Sequence, residues 1–177
     1  MKIAIIGGTG ALGQAIGAAW SELGHEITLV GRNEVTIRDL NSTGFRVRNV
    51  QGEEKHLSLQ ASSDFQSLDR QDLIVISVKS FDTGSVVPLL DVPIVQASKI
   101  LSIQNGLSHQ ALLKATVPGD QLLFGVTFQA ATRISGDTVL HASIGLTTIG
   151  SASSDITSAT LLAGVLDSPT APCVSTD

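Results

Sequence analysis

The chain opens with a short apolar run, followed by glycines and then by a segment whose apolar residues have helical spacing. Residues 2–6 read Lys-Ile-Ala-Ile-Ile, and β-branched side chains in such a run are typical of a buried strand. Apolar side chains then recur every three or four residues from Leu12 to Leu23, and Gly24 suits the end of a helix. The pattern predicts a strand, a glycine-rich loop and a helix in succession.

Strand-like and helix-like segments continue to alternate further along the chain. Residues 25–30 form a second apolar run, and the short helical pattern after it ends near Gly44. Two segments, 45–50 and 56–61, alternate between apolar and polar residues around a polar connection. They predict a hairpin with one solvated face.

The rest of the pattern decides the fold class. The continuous apolar runs 72–78 and 100–106 are typical of strands buried on both faces of a sheet. Further strands and a last helix are predicted at 121–130, 137–143, 145–150 and 154–166. This alternation predicts an α/β fold: a Rossmann-like, doubly wound parallel sheet with added antiparallel strands near the C-terminal part. Residues 1–167 form one dinucleotide-binding domain in this prediction, and 168–177 form a linker or a final strand.

Composition and charge argue against several classes of function. Of the 177 residues, 42% are hydrophobic and 15% are charged, which is ordinary for a globular domain. The net charge is −5 and the eleven basic residues are scattered, so nucleic-acid binding is disfavoured. The four histidines and the single cysteine, Cys173, show no metal-ligand spacing, and the N-terminal apolar run is too short for a membrane span. We expect a cytoplasmic protein without a metal site, a membrane partner or a nucleic-acid partner.

The glycine-rich loop carries the clearest binding motif. It lies between a predicted strand and a predicted helix, and its pattern G-x-G-x-x-G is matched by Gly8, Thr9, Gly10, Ala11, Leu12 and Gly13. The first glycine of such a motif permits a tight turn, the second admits a pyrophosphate, and the third lets the helix pack against the strand. The amino terminus of the helix offers N–H groups and a partial positive charge to phosphates. We therefore expect a bound dinucleotide.

The end of the second predicted strand bears on which dinucleotide is bound. An NAD site has an acidic residue here to bind the ribose 2′-hydroxyl, whereas this chain has Arg32. A guanidinium is always charged and forks onto phosphate oxygens, which favours the 2′-phosphate of NADP. In the alternative interpretation, Arg32 is a surface residue and Glu34 binds the ribose.

Two polar residues follow the buried strands. Lys79 comes just after the run 72–78, and Asn105 lies at the end of the run 100–106. A solvated lysine and an Asn-Gly turn are the ordinary interpretations of each residue alone. Because ligands of a doubly wound sheet bind where its strands end, we expect both residues beside the glycine loop.

On these residues, the chain resembles the N-terminal, NADP-binding domain of the ketopantoate reductase (2-dehydropantoate 2-reductase) family. The matching segments, in order, are GTGALG, GRN, VKSFDT, IQNGL and GVTFQAATRISGDTVLHASIGLTTIG. The last segment is the most specific, since generic Rossmann proteins do not carry it. One departure from the family pattern is the first loop, IIGGTG, which is one residue longer from the start of the chain.

The resemblance implies an oxidoreductase and a set of site residues. It implies NADPH-dependent reduction of 2-dehydropantoate, or a close 2-keto acid, in pantothenate and coenzyme A biosynthesis. Residues 8–13 would bind the pyrophosphate and Arg32 the 2′-phosphate. Lys79 and Ala131 match further cofactor-lining positions, and Asn105 matches a position that faces both nicotinamide and substrate.

The resemblance also implies that catalysis needs more than these residues. The proton donor of the family is a lysine on a second, helical domain, so no catalytic residue is expected in this chain. Lys79 is not assigned that role, because it matches a cofactor contact. An apolar face left uncovered by the helical domain is expected to favour self-association.

Two other functions are compatible with the sequence. One is a stand-alone NADP-binding module without turnover. The other is an F420-dependent NADP reductase, whose glycine loop also often reads GGTGALG, although VKSFDT and GVTFQAATR argue against it. A reading frame that continues after Asp177 into a helical domain would favour the reductase over the binding module.

Overall fold

The central element is an eight-stranded, largely parallel sheet, seen in a computed structural model that describes residues 1–90 and 98–176. Strands are numbered in chain order over the whole chain. Those of the central sheet are β1 (Lys2–Ile6), β2 (Glu26–Val30), β5 (Gln60–Ser62), β6 (Leu73–Ile76), β7 (Lys99–Ser102), β8 (Leu122–Thr127), β11 (Thr147–Ser151) and β12 (Cys173–Ser175). Their order across the sheet is β12-β11-β8-β7-β6-β1-β2-β5, and β11 is antiparallel to β8.

A smaller sheet, with four strands among the described residues, lies beside the first. Its strands are β3 (Phe45–Arg48), β4 (Glu54–Leu57), β9 (Ala130–Arg133) and β10 (Thr138–Ser143), in the order β4-β3-β10-β9. The helices are α1 (Ala11–Glu22), α2 (Glu34–Thr43), α3 (Thr83–Leu90), α4 (Ser108–Thr116) and α5 (Thr157–Leu166), and a 3₁₀ turn, Ser80–Asp82, precedes α3.

Helices pack on both faces of the central sheet because its strands alternate between two apolar faces. Ile3 and Ile5 of β1 belong to a core cluster that includes α1, α2 and α5. Ala4 and Ile6, which point the other way, belong to a second cluster with α3 and α4. The predicted doubly wound sheet with antiparallel additions is therefore confirmed.

Several predicted elements have different boundaries or partners. The hairpin is confirmed as β3 and β4, but its predicted second strand, 56–61, divides between two sheets. Ala61 is buried beside Leu29 of β2, and the Asn41 side chain bonds both its N–H and its carbonyl, which holds β5 in the central sheet. The tail 168–177 contains β12, which pairs with β11 in parallel.

The prediction of a single strand over residues 121–130 was wrong. Strand β8 ends at Thr127, and the chain turns at Phe128 before β9 begins. Two contacts fix this turn. The Phe128 N–H donates to the Leu146 carbonyl, and the backbone of Phe128 lies against Gly145. A Cβ atom at Gly145 would lie 2.2 Å from the Phe128 carbonyl oxygen, so the close approach depends on glycine. Strand β10 then pairs with β9 on one side and, in parallel, with β3 on the other.

Candidate functional site

The candidate site lies at the edge of the central sheet where the parallel strands β1, β2, β6 and β7 end. The glycine loop follows β1 and Arg32 follows β2. Lys79 follows β6 and Asn105 follows β7. The sheet topology therefore brings these residues to one edge of the sheet, as predicted.

The tight turn of the glycine loop is made by Gly7, one residue before the predicted motif. Gly7 has a φ of +86°, and a Cβ atom there would lie 2.8 Å from the Val78 nitrogen. The sequence pattern assigned this turn to Gly8. Gly8 is instead buried, and a Cβ there would lie 2.5 Å from the Ile5 carbonyl oxygen. The assignment of the turn to Gly8 was therefore wrong, and the extra residue of IIGGTG provides the turning glycine.

The second and third motif glycines keep the amino terminus of α1 open and close to the sheet. Gly10 is the N-cap residue, and no side chain caps the helix. A Cβ at Gly13 would lie 2.5 Å from the Gly8 Cα, so only glycine lets the first turn of α1 approach the loop this closely. The first N–H groups of a helix lack intrahelical partners, and they form a cradle that fits a phosphate group.

The loop is held in place by side chains that sequence reasoning did not identify. The Thr9 carbonyl accepts hydrogen bonds from Gln14 Nε2 and from Arg133 Nη2, both at 3.0 Å. Arg133 comes from β9 and also donates to the Gly136 carbonyl at 2.9 Å. Gly31 passes so close to Thr9 that a Cβ would lie 2.3 Å from its hydroxyl oxygen. No local motif marks Arg133, since its partner is more than a hundred residues earlier in the chain.

Two adjoining cavities follow the loop along the sheet edge. One, of about 270 Å³, is lined by Gly10, Lys79, Asn105 and Ala131, and also by Ala11, Leu12 and Gly13. The other, of about 440 Å³, is lined by Thr9, Arg32 and Lys79 and has an apolar wall from β2 and α3. Both share Gly7, Gly10 and Lys79. Apart from Gly8, every predicted site residue lines one of these cavities.

Arg32 projects from the end of β2 into solvent beside the larger cavity. Its side chain is 78% exposed, and its Nη2 lies 3.4 Å from the Asp82 carboxylate. Glu34, the alternative ribose ligand, is exposed in the first turn of α2 and lines neither cavity. The geometry therefore favours Arg32 over Glu34 as the residue that faces a ligand at this end.

A buried glutamine connects the two polar strand ends. Gln104 donates from Nε2 to the Val78 carbonyl at 3.0 Å and to the Thr83 hydroxyl at 2.9 Å. Its Oε1 accepts from Ser102 at 3.2 Å. Gln104, the residue before Asn105, thus bonds Val78, the residue before Lys79, a contact that the sequence pattern did not indicate.

Strand β9, which brings Ala131 to the cavity, is supported by a buried pair. Ala131 is paired in register with His141 of β10. His141 Nε2 bonds Gln129 Oε1 at 2.9 Å, and burial lowers the pKa of the imidazole. A neutral imidazole is compatible with this uncharged partner.

Among residues 1–90 and 98–176, no three His, Cys, Asp or Glu side chains are grouped closely enough to hold a metal ion. No helix in the same ranges is long and apolar enough to cross a bilayer.

The sequence matches a family model and several curated relatives. Residues 3–154 match the model described as Ketopantoate reductase PanE/ApbA. The 2-dehydropantoate 2-reductase of Halobacterium salinarum is 32% identical over 146 residues, which are 82% of this chain and 48% of the relative. That of Bacillus subtilis is 32% identical over 145 residues, again 82% of this chain and 46% of the relative. The chain spans about half the length of these relatives.

Solved structures show the same fold. The 2-dehydropantoate 2-reductase from Geobacter metallireducens superposes with a TM-score of 0.88 at 22% identity, over 99% of this chain and 58% of that chain. D-mandelate dehydrogenase, solved with NADH and anilino(oxo)acetate, also has a TM-score of 0.88 at 22% identity, over 100% of this chain and 57% of that chain. Because the family model matches residues 3–154, which are most of this chain, the chain belongs to the ketopantoate reductase family.

Proposed function

We propose that this chain is the coenzyme-binding part of an NADPH-dependent reductase that converts 2-dehydropantoate, or a close 2-keto acid, to the hydroxy acid. The observation that carries the proposal is the cavity lined jointly by the glycine loop, Lys79 and Asn105, in a chain of this family. The relatives that share 32% of their aligned residues with it are named for this reaction. The reaction would serve pantothenate and coenzyme A biosynthesis, in a cytoplasmic setting.

Three parts of the proposed cofactor would each meet suitable residues of this chain. The uncapped amino terminus of α1 suits a pyrophosphate, and Arg32 suits a 2′-phosphate. Lys79, Ala131 and Asn105 together line the cavity of about 270 Å³. A bound reduced nicotinamide would supply the hydride, and Asn105 would hydrogen-bond both the nicotinamide and the substrate.

A keto oxygen gains negative charge during reduction and needs a proton donor. Within the family pattern this donor is a lysine of the helical half of the enzyme, which the matched residues do not include. Loss of a general acid typically lowers a rate by ~10²–10⁴, and lost substrate positioning adds to that. We therefore propose that these 177 residues alone bind the cofactor but reduce ketopantoate very poorly.

A steady-state assay that follows NADPH absorbance with ketopantoate tests this proposal. It uses this chain, any longer product of the same gene, and the Bacillus subtilis relative as a positive control. We expect turnover by the longer product and only a trace with the short chain. A longer product that binds NADPH without turnover would support the stand-alone binding module instead. Near-normal turnover by the short chain would overturn the assignment of the donor and make Lys79 the first residue to substitute.

A further inference from the structure

Asp82 contributes a carboxylate to the cavity wall near the end of β2. It is the last residue of the 3₁₀ turn after β6, so it reaches Arg32 from a different crossover of the sheet. The distance from Arg32 Nη2 to Asp82 Oδ2 is 3.4 Å. Whereas Arg32 is 78% exposed, the Asp82 side chain is only 28% exposed. The carboxylate is therefore the more buried partner of the pair.

Both residues line the cavity of about 440 Å³, where the apolar wall includes Val30 and Val86. Lys79 also lines this cavity. In a doubly wound sheet, the ribose of a dinucleotide lies at the end of the second strand, which here is the position of Arg32. Asp82 thus places a negative charge within reach of the same ribose.

We propose that Asp82 is a specificity-determining residue, which together with Arg32 sets the choice between a ribose 2′-phosphate and a ribose 2′-hydroxyl. This inference rests on the proposed binding of a nicotinamide dinucleotide. A 2′-phosphate competes with Asp82 for Arg32 and is repelled by the carboxylate. A 2′-hydroxyl instead donates a hydrogen bond to a carboxylate, which an acidic residue at the end of the second strand accepts in NAD sites. Asp82 therefore weakens NADPH binding and strengthens NADH binding.

The backbone contacts of Asp82 can be separated from this role. Its N–H donates to the Lys79 carbonyl at 2.8 Å, and its carbonyl accepts from the Ser85 hydroxyl at 2.8 Å. Neither bond uses the carboxylate, so Asp82→Asn keeps the shape of the turn and removes only the charge.

The experiment measures dissociation constants for NADPH and NADH by nicotinamide fluorescence. The variants are Asp82→Asn, Arg32→Gln and the double variant. Asp69→Asn is the matched control, because it also removes an ion pair of 3.4 Å, with Lys2 at the opposite edge of the sheet. For Asp82→Asn we expect NADPH binding to tighten and NADH binding to weaken, changing the ratio of the two constants by about tenfold, as is reasonable for one charged hydrogen bond. The gain for NADPH should shrink in the Arg32→Gln background.

A parallel change in both affinities, or no change in their ratio, would overturn the specificity role of Asp82. A purely structural role would lower the melting temperature and weaken both cofactors together. If the unsubstituted chain binds neither cofactor, the proposed function itself is contradicted, and that result is distinguishable from a failure confined to Asp82.

Discussion

At Gly13, the first turn of α1 packs tightly against Gly7 and Gly8. We expect Gly13→Ala to lower the free energy of unfolding by about 1–3 kcal/mol, because its Cβ would lie 2.5 Å from the Gly8 Cα and the loop would have to move. The displaced loop should also bind NADPH more weakly. Urea denaturation and fluorescence titration measure the two effects.

Gly164→Ala is the matched control for this change. Gly164 also lies within a helix, α5, but a Cβ there meets no atom within 4 Å. Alanine should therefore raise the free energy of unfolding by about 0.5–1 kcal/mol through its better helix propensity. Equal effects of the two substitutions would contradict the close packing inferred at Gly13.

Cys173 predicts a dependence of stability on alkaline pH. Burial, with a smaller effect of Asp167, raises the pKa of the thiol from 9.0 to about 12. Well below pH 9 the thiol is neutral in both the folded and the unfolded chain. Between pH 9 and 12 the unfolded chain ionises first, so stability falls as pH rises through this window. Denaturation curves should show a smaller alkaline loss for Cys173→Ala, and an equal loss would show that this thiol is not buried in β12.

The place of a residue in the fold could be predicted from the sequence where a local pattern marks it. Lys79 and Asn105 could be predicted because each follows an apolar run, and parallel strands end at one edge. The contacts of Arg133 with Thr9 and of Asp82 with Arg32 could not be predicted, since they join segments that are far apart in the chain. Such long-range contacts have no periodic signature in a single sequence.

At the scale of elements, Gln104, which follows β7, bonds Val78 after β6 and Thr83 at the start of α3. We expect Gln104→Leu to lower the free energy of unfolding by about 1–3 kcal/mol, because the Val78 carbonyl loses its Gln104 donor in a mostly buried setting. It should also weaken NADPH binding, since Lys79 and Asn105 lose a shared support. Gln66→Leu, on an exposed glutamine, is the control and should change stability by less than about 0.5 kcal/mol. A similar loss in both variants would contradict this role of Gln104.

Element types were easier to predict than element partners. The hairpin predicted from segments 45–50 and 56–61 is confirmed as β3 and β4, but the parallel pairing of β3 with β10 was not predicted. That pairing joins segments about ninety residues apart, and polarity alternation alone does not specify it. Helices α3 and α4 were not predicted. α3 carries Pro88 within its span, and proline usually argues against a helix interior.

At the scale of the whole molecule, three large apolar side chains are exposed after the neighbouring strands β6, β7 and β8. Phe81 is 84% exposed, Leu107 is 76% exposed and Phe128 is 71% exposed. We expect this surface to cause self-association that increases with protein concentration, because burying apolar side chains away from water lowers the free energy. Sedimentation velocity should show larger species, and Phe128→Ser should reduce them. Leu161→Ser, on α5, removes a comparably exposed side chain and should have no effect.

A monomer at every concentration, or equal effects of the two serine variants, would rule out this surface as the interface.

A crystal structure of the chain with NADPH tests most directly whether the sheet edge is a dinucleotide site. We expect the pyrophosphate at the amino terminus of α1, the 2′-phosphate at Arg32, and the nicotinamide in the cavity lined by Lys79, Asn105 and Ala131. NADPH bound elsewhere, for example in the cavity between α2 and Arg133, would contradict the assignment, as would crystals that contain no cofactor at saturating NADPH.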